Sequence, residues 1–134
     1  MSNFFDLKKI TPLKNFYCKY VTEKMKEENL PSSYVPFINA LSKQKFGSQQ
    51  ELTENLGCNK AHTSRTLFKM QLQGLIKPLY TSKIELSEKG KIYAKKLTEI
   101  ENKLYNELSV GVTESEKQTF NKVLDKLIAN ANRT

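Results

Sequence analysis

The chain has 134 residues and a formal net charge of +8, from 22 Lys or Arg against 14 Asp or Glu. Its length suits one domain with helical extensions, and 38% hydrophobic residues are enough for a core. It contains no run of about 18 apolar residues, and Met1 to Lys9 lacks the apolar segment of a secretory signal, so we expect a cytoplasmic protein with no membrane partner. Two cysteines 40 positions apart and one histidine argue against a zinc site or a disulfide framework. Neither a metal nor a cofactor is expected.

The positive charge is concentrated between residues 59 and 96. This segment holds nine Lys or Arg against two Glu and so carries +7 of the total +8. Charge gathered on one segment is typical of a surface that meets a phosphate backbone, whereas scattered lysines only keep a protein soluble. We therefore expect double-stranded DNA as the partner.

The first two helices are predicted from apolar residues at helical spacing. The first helix covers about residues 13–28, and its apolar residues share one face: Leu13, Phe16, Tyr17, Tyr20 and Val21. Ser33 is then expected to cap a short second helix, which tolerates Pro36 in its first turn and ends before Gly47. Its inward residues are Phe37, Ile38 and Leu41.

Two further helices form a helix-turn-helix pattern. A capping box at Ser48 and Glu51 begins a third helix over about 49–56, which is followed by a tight turn at Gly57 and Cys58. Asn59 then caps a longer fourth helix. The inward residues of this helix and its C-terminal left-handed glycine are Thr63, Leu67, Met70 and Gly74. Two helices joined by a short turn that contains glycine predict a helix-turn-helix.

The segment after the fourth helix predicts a wing. Leu75 to Tyr80 and Lys83 to Ser87 are short extended runs separated by Thr81 and Ser82, which is compatible with a hairpin. Pro78 disfavours a continuous helix there, because proline cannot donate the backbone hydrogen bond. The sequence therefore predicts a winged helix-turn-helix.

Two long helices complete the chain. The fifth is predicted from Ser87 to about Val110, with an apolar stripe formed by Tyr93, Leu97, Ile100, Leu104 and Leu108. Gly111 and a capping box between Thr113 and Glu116 lead into the sixth, and the chain is expected to fray from Asn130. The inner face of this last helix is Phe120, Val123, Leu124, Leu127 and Ile128. The predicted fold class is mostly α with a small β-hairpin wing.

These motifs together resemble the MarR family of bacterial transcription regulators. The resemblance rests on three runs, Gln50 to Gly57, Asn59 to Arg65 with Gly74-Leu75-Ile76 nine residues later, and Leu86 to Gly90. It implies a winged helix-turn-helix DNA-binding lobe over residues 34–88 of a single chain unit, 1–134. It also implies that the helices at 5–30 and 89–132 are long dimerisation helices.

The resemblance implies a sequence-specific transcriptional regulator that binds a palindromic operator as a homodimer and acts as a repressor. The recognition helix would run from Asn59 to Gln73. Arg65 has the planar fork for guanine or phosphate and Lys60 the point charge for phosphate, while His62 and Ser64 can bond base edges or backbone. The DNA-binding residues implied are Asn59, Lys60, His62, Ser64, Arg65, Lys69 and Lys83.

Three further expectations follow from the resemblance. The wing is shorter than is usual in the family and lacks its Asp and Arg pair, so specificity should depend on the helix. The family often binds small aromatic effectors in a cleft, although aromatic residues at helical spacing are more often plain core. Cys18 lies about eleven residues beyond the family's oxidant-sensing position, which disfavours a redox switch. The residues that would line the effector cleft are Phe16, Tyr17, Tyr20, Tyr34 and Phe37.

The sequence also bears on two other classes of function. A winged-helix module for protein interaction, or for plasmid or phage replication with non-specific DNA binding, remains the alternative. An enzyme is not expected, because the sequence has no Ser/His/Asp set, paired carboxylates, Gly-rich phosphate loop or metal-ligand spacing.

Overall fold

The computed structural model describes residues 6–80 and 83–133. In these ranges the chain forms α1 (Ile10–Glu27), α2 (Val35–Lys43), α3 (Gln49–Leu56), α4 (Lys60–Leu72), α5 (Glu88–Leu108) and α6 (Glu114–Asn132). Short 3₁₀ turns at Leu7–Lys9 and Ser32–Tyr34 precede α1 and α2. None of the helices in the described ranges has the length and apolar character needed to cross a membrane. The chain divides into two compact units, Met1–Asn102 and Lys103–Thr134.

The ends of α3 and α4 follow the predicted local signals. The Ser48 hydroxyl accepts from the Glu51 amide at 3.1 Å, and the Asn59 side chain accepts from the His62 amide at 2.8 Å. These bonds satisfy amides that have no partner within a helix. The second bond of the predicted capping box would run from the Ser48 amide to the Glu51 carboxylate. In the structure this carboxylate accepts instead from the amide of Gly47, one residue earlier.

Three predicted helix ends needed correction or extension. Ser33 does not cap α2, because it lies inside the 3₁₀ turn and Tyr34 occupies the capping position. α1 begins earlier than predicted, after a turn that the Asp6 side chain caps. The expected fraying from Asn130 is wrong, since α6 continues to Asn132. At its other end, both bonds of the predicted capping box are present.

The core of the first unit lies among α2, α3, α4 and the segment that follows α4. α3 packs against both α2 and α4, and the turn before α2 contacts α1 and α4. The predicted inward residues of α4, Thr63, Leu67 and Met70, are fully buried, which fixes the orientation of α4, whereas Leu56 of α3, which was expected to be buried with Leu52, is half-buried. Buried side chains from these elements include Phe37, Ile38, Leu52, Leu67, Met70 and Leu75.

The predicted wing contains isolated antiparallel bridges. Ile76 pairs with Leu86, and Phe46 pairs with Ile84. The Lys77 amide also donates to the Glu85 carbonyl at 3.0 Å, so the two predicted runs do lie side by side. The turn at Thr81 and Ser82 falls outside the described residues. The β-hairpin therefore stays a prediction.

Several predicted inward residues of the long helices are exposed in the single chain. On α1, Leu13 and Phe16 are 49% and 45% exposed. On α6, Phe120 and Ile128 are 56% and 55% exposed, whereas Leu124 and Leu127 are half-buried. The apolar stripes are present as predicted, but the chain's own elements do not bury them.

Candidate nucleic-acid interface

α4 presents one face to the core and the opposite face to solvent. Thr63, Leu67 and Met70 are fully buried, and Thr66 is 4% exposed. Successive residues of an α-helix are rotated by about 100° around its axis, so these four side chains fall within a sector of about 100° on one side of α4. The remaining side chains of the helix are therefore held on its flanks and outer face.

A cluster of polar side chains fixes the turn between α3 and α4. The Thr63 hydroxyl lies 2.8 Å from the Thr53 hydroxyl, 3.1 Å from the Cys58 sulfur and 3.2 Å from the Asn59 carbonyl. Buried polar groups of this kind are costly to leave unpaired. Their mutual bonds therefore favour one turn geometry, and with it one orientation of α4.

The C-terminal end of α4 is held by the start of α5. The Ser87 hydroxyl donates to the Gly74 carbonyl at 2.5 Å, and the Lys89 ammonium donates to the Gln73 carbonyl at 2.8 Å. Both bonds reach carbonyls at the end of a helix, where positive charge is favourable. Two members of the predicted Leu-Ser-Glu-Lys-Gly element thus clamp the candidate recognition helix.

Gly90 has a packing role in the same clamp. A Cβ atom at this position would lie 2.0 Å from the Leu75 carbonyl oxygen, which is a backbone atom that cannot rotate away. The absence of a side chain therefore allows the first turn of α5 to approach the chain that leaves α4.

Glu85 neutralises part of the positive charge near the wing. Its carboxylate lies 2.9 Å from the Lys77 ammonium and 3.7 Å from that of Lys45. The hydrogen bond from Lys77, together with the nearby charges of both lysines, lowers the pKa of Glu85. The same hydrogen bond and charge raise the pKa of Lys77. Lys77 therefore serves an ion pair within the protein.

Two cations of α5 are also paired. Lys91 lies 3.3 Å from Glu88, and Lys96 lies 2.9 Å from Glu28 at the end of α1. The hydrogen bond with Glu28 raises the pKa of Lys96. Lys77, Lys91 and Lys96, all within residues 59–96, thus form ion pairs inside the first unit.

The cations of α4 differ from Lys77, Lys91 and Lys96. Lys60, Arg65 and Lys69 are exposed, and within the described ranges none of them forms an ion pair. α4 contains no acidic residue, so nothing on the helix itself opposes them. α4 is consequently a cationic surface whose charges are available to an anionic partner.

The other predicted DNA-binding residues occupy varied positions. Ser64 and Lys83 are exposed, and the Asn59 side chain is occupied as the cap of α4. His62 was expected on an exposed face, but it is half-buried, with its ring packed edge-on 5.8 Å from the ring of Phe37. This packing reduces the surface that His62 can offer to a ligand.

Sequence reasoning missed the apolar part of the outer face. Ala61, Phe68 and Leu72 are exposed on α4, with Phe68 at 55% and Leu72 at 69%. The signal was present in the sequence, because a spacing of about 100° per residue puts these positions opposite Thr63 and Met70.

The residues predicted to line an effector cleft do not form one group. Tyr34 and Phe37 are core residues, at 2% and 1% exposure. Phe16 stacks on Tyr20 with 6.3 Å between ring centroids, and the Tyr17 hydroxyl donates to the Glu101 carboxylate at 2.5 Å. Two cavities are described in the first unit, of about 540 and 260 Å³, and neither is lined by any of the five aromatic residues.

Comparison with solved structures identifies the fold. The chain is similar to a MarR transcriptional regulator from Methanosarcina mazei Go1, with a TM-score of 0.82, 20% identity, and coverage of 94% of this chain and 95% of that one. It is also similar to a MarR/EmrR family regulator from Acinetobacter sp. ADP1, with a TM-score of 0.76, 23% identity and coverage of 95% and 94%. A MarR-family regulator from Silicibacter pomeroyi gives a TM-score of 0.77, 19% identity and coverage of 94% and 96%.

The relationship is visible in the fold and not in the sequence comparisons. No protein-family model matches the chain, and no curated protein matches its sequence. The structural matches nevertheless span nearly the whole chain and nearly the whole of each neighbour. The chain therefore has the winged-helix fold of the MarR-family transcriptional regulators.

Proposed function

We propose that this protein is a sequence-specific regulator of transcription that binds double-stranded DNA through α4. The observation that supports it most is the contrast between paired and unpaired charge. Lys77, Lys91 and Lys96 are engaged in ion pairs within the protein, whereas Lys60, Arg65 and Lys69 lie exposed, with no ion pair in the described ranges, on a helix that has no acidic residue. Cations placed in this way on the second helix of a helix-turn-helix suit a major groove flanked by phosphates.

The proposed roles follow from side-chain chemistry. Arg65 contacts guanine or a phosphate in bidentate fashion, Ser64 bonds a base edge, and Lys60 and Lys69 contact phosphates. Asn59 contributes by capping the helix and so holding its amide end toward the backbone of the duplex. His62 has a lesser role than the sequence suggested, because part of its ring packs on the core.

The wing contributes one further cation. Lys83 is exposed at the start of the second extended run. We assign residues 75–87 to a short wing in which Lys83 contacts phosphate. A wing this short offers little surface to a minor groove, so sequence readout depends on α4.

The proposed functional state is a homodimer on a palindromic site. Leu13 and Phe16 on α1, and Phe120 and Ile128 on α6, are large apolar side chains left exposed by the single chain. Each contributes about 1.5–3 kcal/mol when fully buried, so their combined burial by a second copy would support a stable dimer. The dimerisation helices, 5–30 and 89–132, would then hold two DNA-binding lobes, 34–88, for successive major grooves about 34 Å apart.

Repression follows from the position of the operator. A dimer that covers two half-sites about 10 base pairs apart excludes polymerase from an overlapping promoter. A small aromatic effector would act by changing the separation of the lobes, and Tyr17 and Tyr20, which are half-buried on α1, are the part of the predicted cleft that lies outside both the core and the proposed dimer contact.

The decisive experiment is selection of bound duplexes from a random pool. A palindrome with half-sites about 10 base pairs apart is the expected product. Arg65→Ala should weaken binding to that duplex by about 1–3 kcal/mol. The matched control is Arg133→Ala, which removes the same side chain from an exposed position after α6. Unchanged binding by Arg65→Ala would remove Arg65 from the interface.

The alternative function gives a different result in the same experiment. A winged-helix module for protein interaction, or for replication with non-specific DNA binding, would bind random and selected duplexes equally. Light scattering that shows a monomer at micromolar concentration would also contradict the homodimer.

A further inference from the structure

The residues farthest from the core on α4 are mainly apolar. With a spacing of about 100° per residue, the buried residues centre on Met70 and Thr63, and the opposite direction runs through Ala61, Phe68 and Leu72. Arg65 lies beside this line, whereas Lys60 and Lys69 lie on the two flanks of the helix. We call Ala61, Phe68 and Leu72 the outer stripe.

Exposure supports the same division. Phe68 is 55% exposed and Leu72 is 69% exposed, although each sits on a helix whose other side has fully buried apolar residues. Single exposed apolar residues are common and need no explanation. Here, however, three follow one another at helical spacing, and Arg65 stands three residues before Phe68 on the same side.

The chemistry around the outer stripe restricts its partner. An apolar protein partner would have to approach Lys60, Arg65 and Lys69, which would lose hydration without gaining an opposite charge. The major groove of DNA suits the same surface, because phosphates flank it and its floor carries one apolar group, the C5 methyl of thymine. Alanine and phenylalanine side chains are among those that contact this methyl.

We propose that the outer stripe reads thymine, with Phe68 packed against the C5 methyl group in each half-site. This inference rests on the proposed DNA-binding function and deepens it. Because Arg65 and Phe68 are i, i+3 neighbours with Cβ atoms about 5–6 Å apart, the thymine lies within about two base pairs of the group that Arg65 contacts.

The test removes the methyl group from the DNA. Duplexes recovered from the random pool are synthesised with deoxyuridine in place of thymine, at one symmetric pair of positions at a time, and their dissociation constants are measured by fluorescence anisotropy. Deoxyuridine keeps every hydrogen-bonding group and lacks only the methyl. Burial of one methyl group lowers the dissociation constant about fourfold. A symmetric pair of substitutions removes two methyl groups, so it is expected to raise the dissociation constant about 15-fold.

The protein variants assign the effect to a side chain. With Phe68→Ala the thymine and deoxyuridine duplexes should bind within about a factor of two of each other, because the partner of the methyl is gone. The control is Gln44→Ala, which truncates an exposed side chain at the C-terminal end of α2, outside α4 and the proposed dimerisation helices, and should preserve the full 15-fold penalty. The deoxyuridine series on the unmodified protein needs no variant to fold.

The outcomes separate the two proposals. Binding of all deoxyuridine duplexes within twofold of the parent would overturn the thymine reading while leaving DNA binding intact. An equal penalty in Phe68→Ala and in the unmodified protein would overturn the assignment to Phe68. Loss of self-association in Phe68→Ala, with DNA binding unchanged, would make the stripe a protein contact. Failure to enrich any duplex would remove the proposed function itself.

Discussion

The salt dependence of DNA binding gives a quantitative test of the α4 interface. Each chain has four exposed cations on α4 and the wing: Lys60, Arg65, Lys69 and Lys83. A dimer would then neutralise about eight phosphates, and the slope of log K against log salt would be about −7. Raising the salt concentration from 50 to 200 mM should weaken binding by a factor on the order of 10⁴.

Lys60→Gln changes this slope by a predictable amount. The variant removes one phosphate contact per chain and two per dimer, so the slope should fall in magnitude to about −5. The control is Lys24→Gln, which makes the same charge change on α1, where Lys24 lies 3.9 Å from Glu27 in an exposed pair. That pair contributes little to stability, and the slope of the control should stay near −7.

The measurement is a series of anisotropy titrations on one duplex between 50 and 300 mM KCl. A slope near −1 for the unmodified protein would show that few counterions are released, which would refute the cationic interface. Equal slopes for Lys60→Gln and the unmodified protein would refute the assignment of Lys60 to phosphate, whatever the total slope.

Three further predictions concern the elements that hold α4, and each is checked by urea unfolding. Gly90→Ala should lower the free energy of unfolding by about 1–3 kcal/mol because its Cβ meets a backbone carbonyl, whereas Gly47→Ala, where a Cβ meets only a flexible side chain, should be tolerated. Thr63→Val should lower the free energy of unfolding by about 1–3 kcal/mol, because the hydrogen bonds of the Thr63 hydroxyl are lost. Thr66→Val is the control on the same helix, and an equally large decrease in this variant would contradict that cause. The pKa of Glu85 is lowered by folding, so its ion pair stabilises the protein above the unfolded value near 4.5 and this contribution disappears as the pH falls through the lower folded value. The difference in urea midpoint between Glu85→Gln and the unmodified protein should therefore shrink from pH 7 to pH 3, and a difference independent of pH would count against the pair.

The limits of α3 and the capping of α4 could be read from the chain alone. Ser48 and Asn59 cap their helices through bonds that span three residues. Gly57 and Gly74 end them with φ values of +67° and +73°. Such bonds and backbone angles depend on a few adjacent residues, so a local pattern is enough to predict them. The same holds for the inward stripe of α4, because helical periodicity is also a local property.

The functional surface of α4 depended on contacts between residues distant in sequence. Composition indicated a cationic segment, but only long-range geometry separated Lys77 and Lys96, paired with Glu85 and Glu28, from the unpaired cations of α4. The packing of His62 on Phe37 likewise joins residues 25 positions apart. Which charges and rings remain available to a ligand is set by partners that folding brings together, and a one-dimensional pattern does not encode those distances.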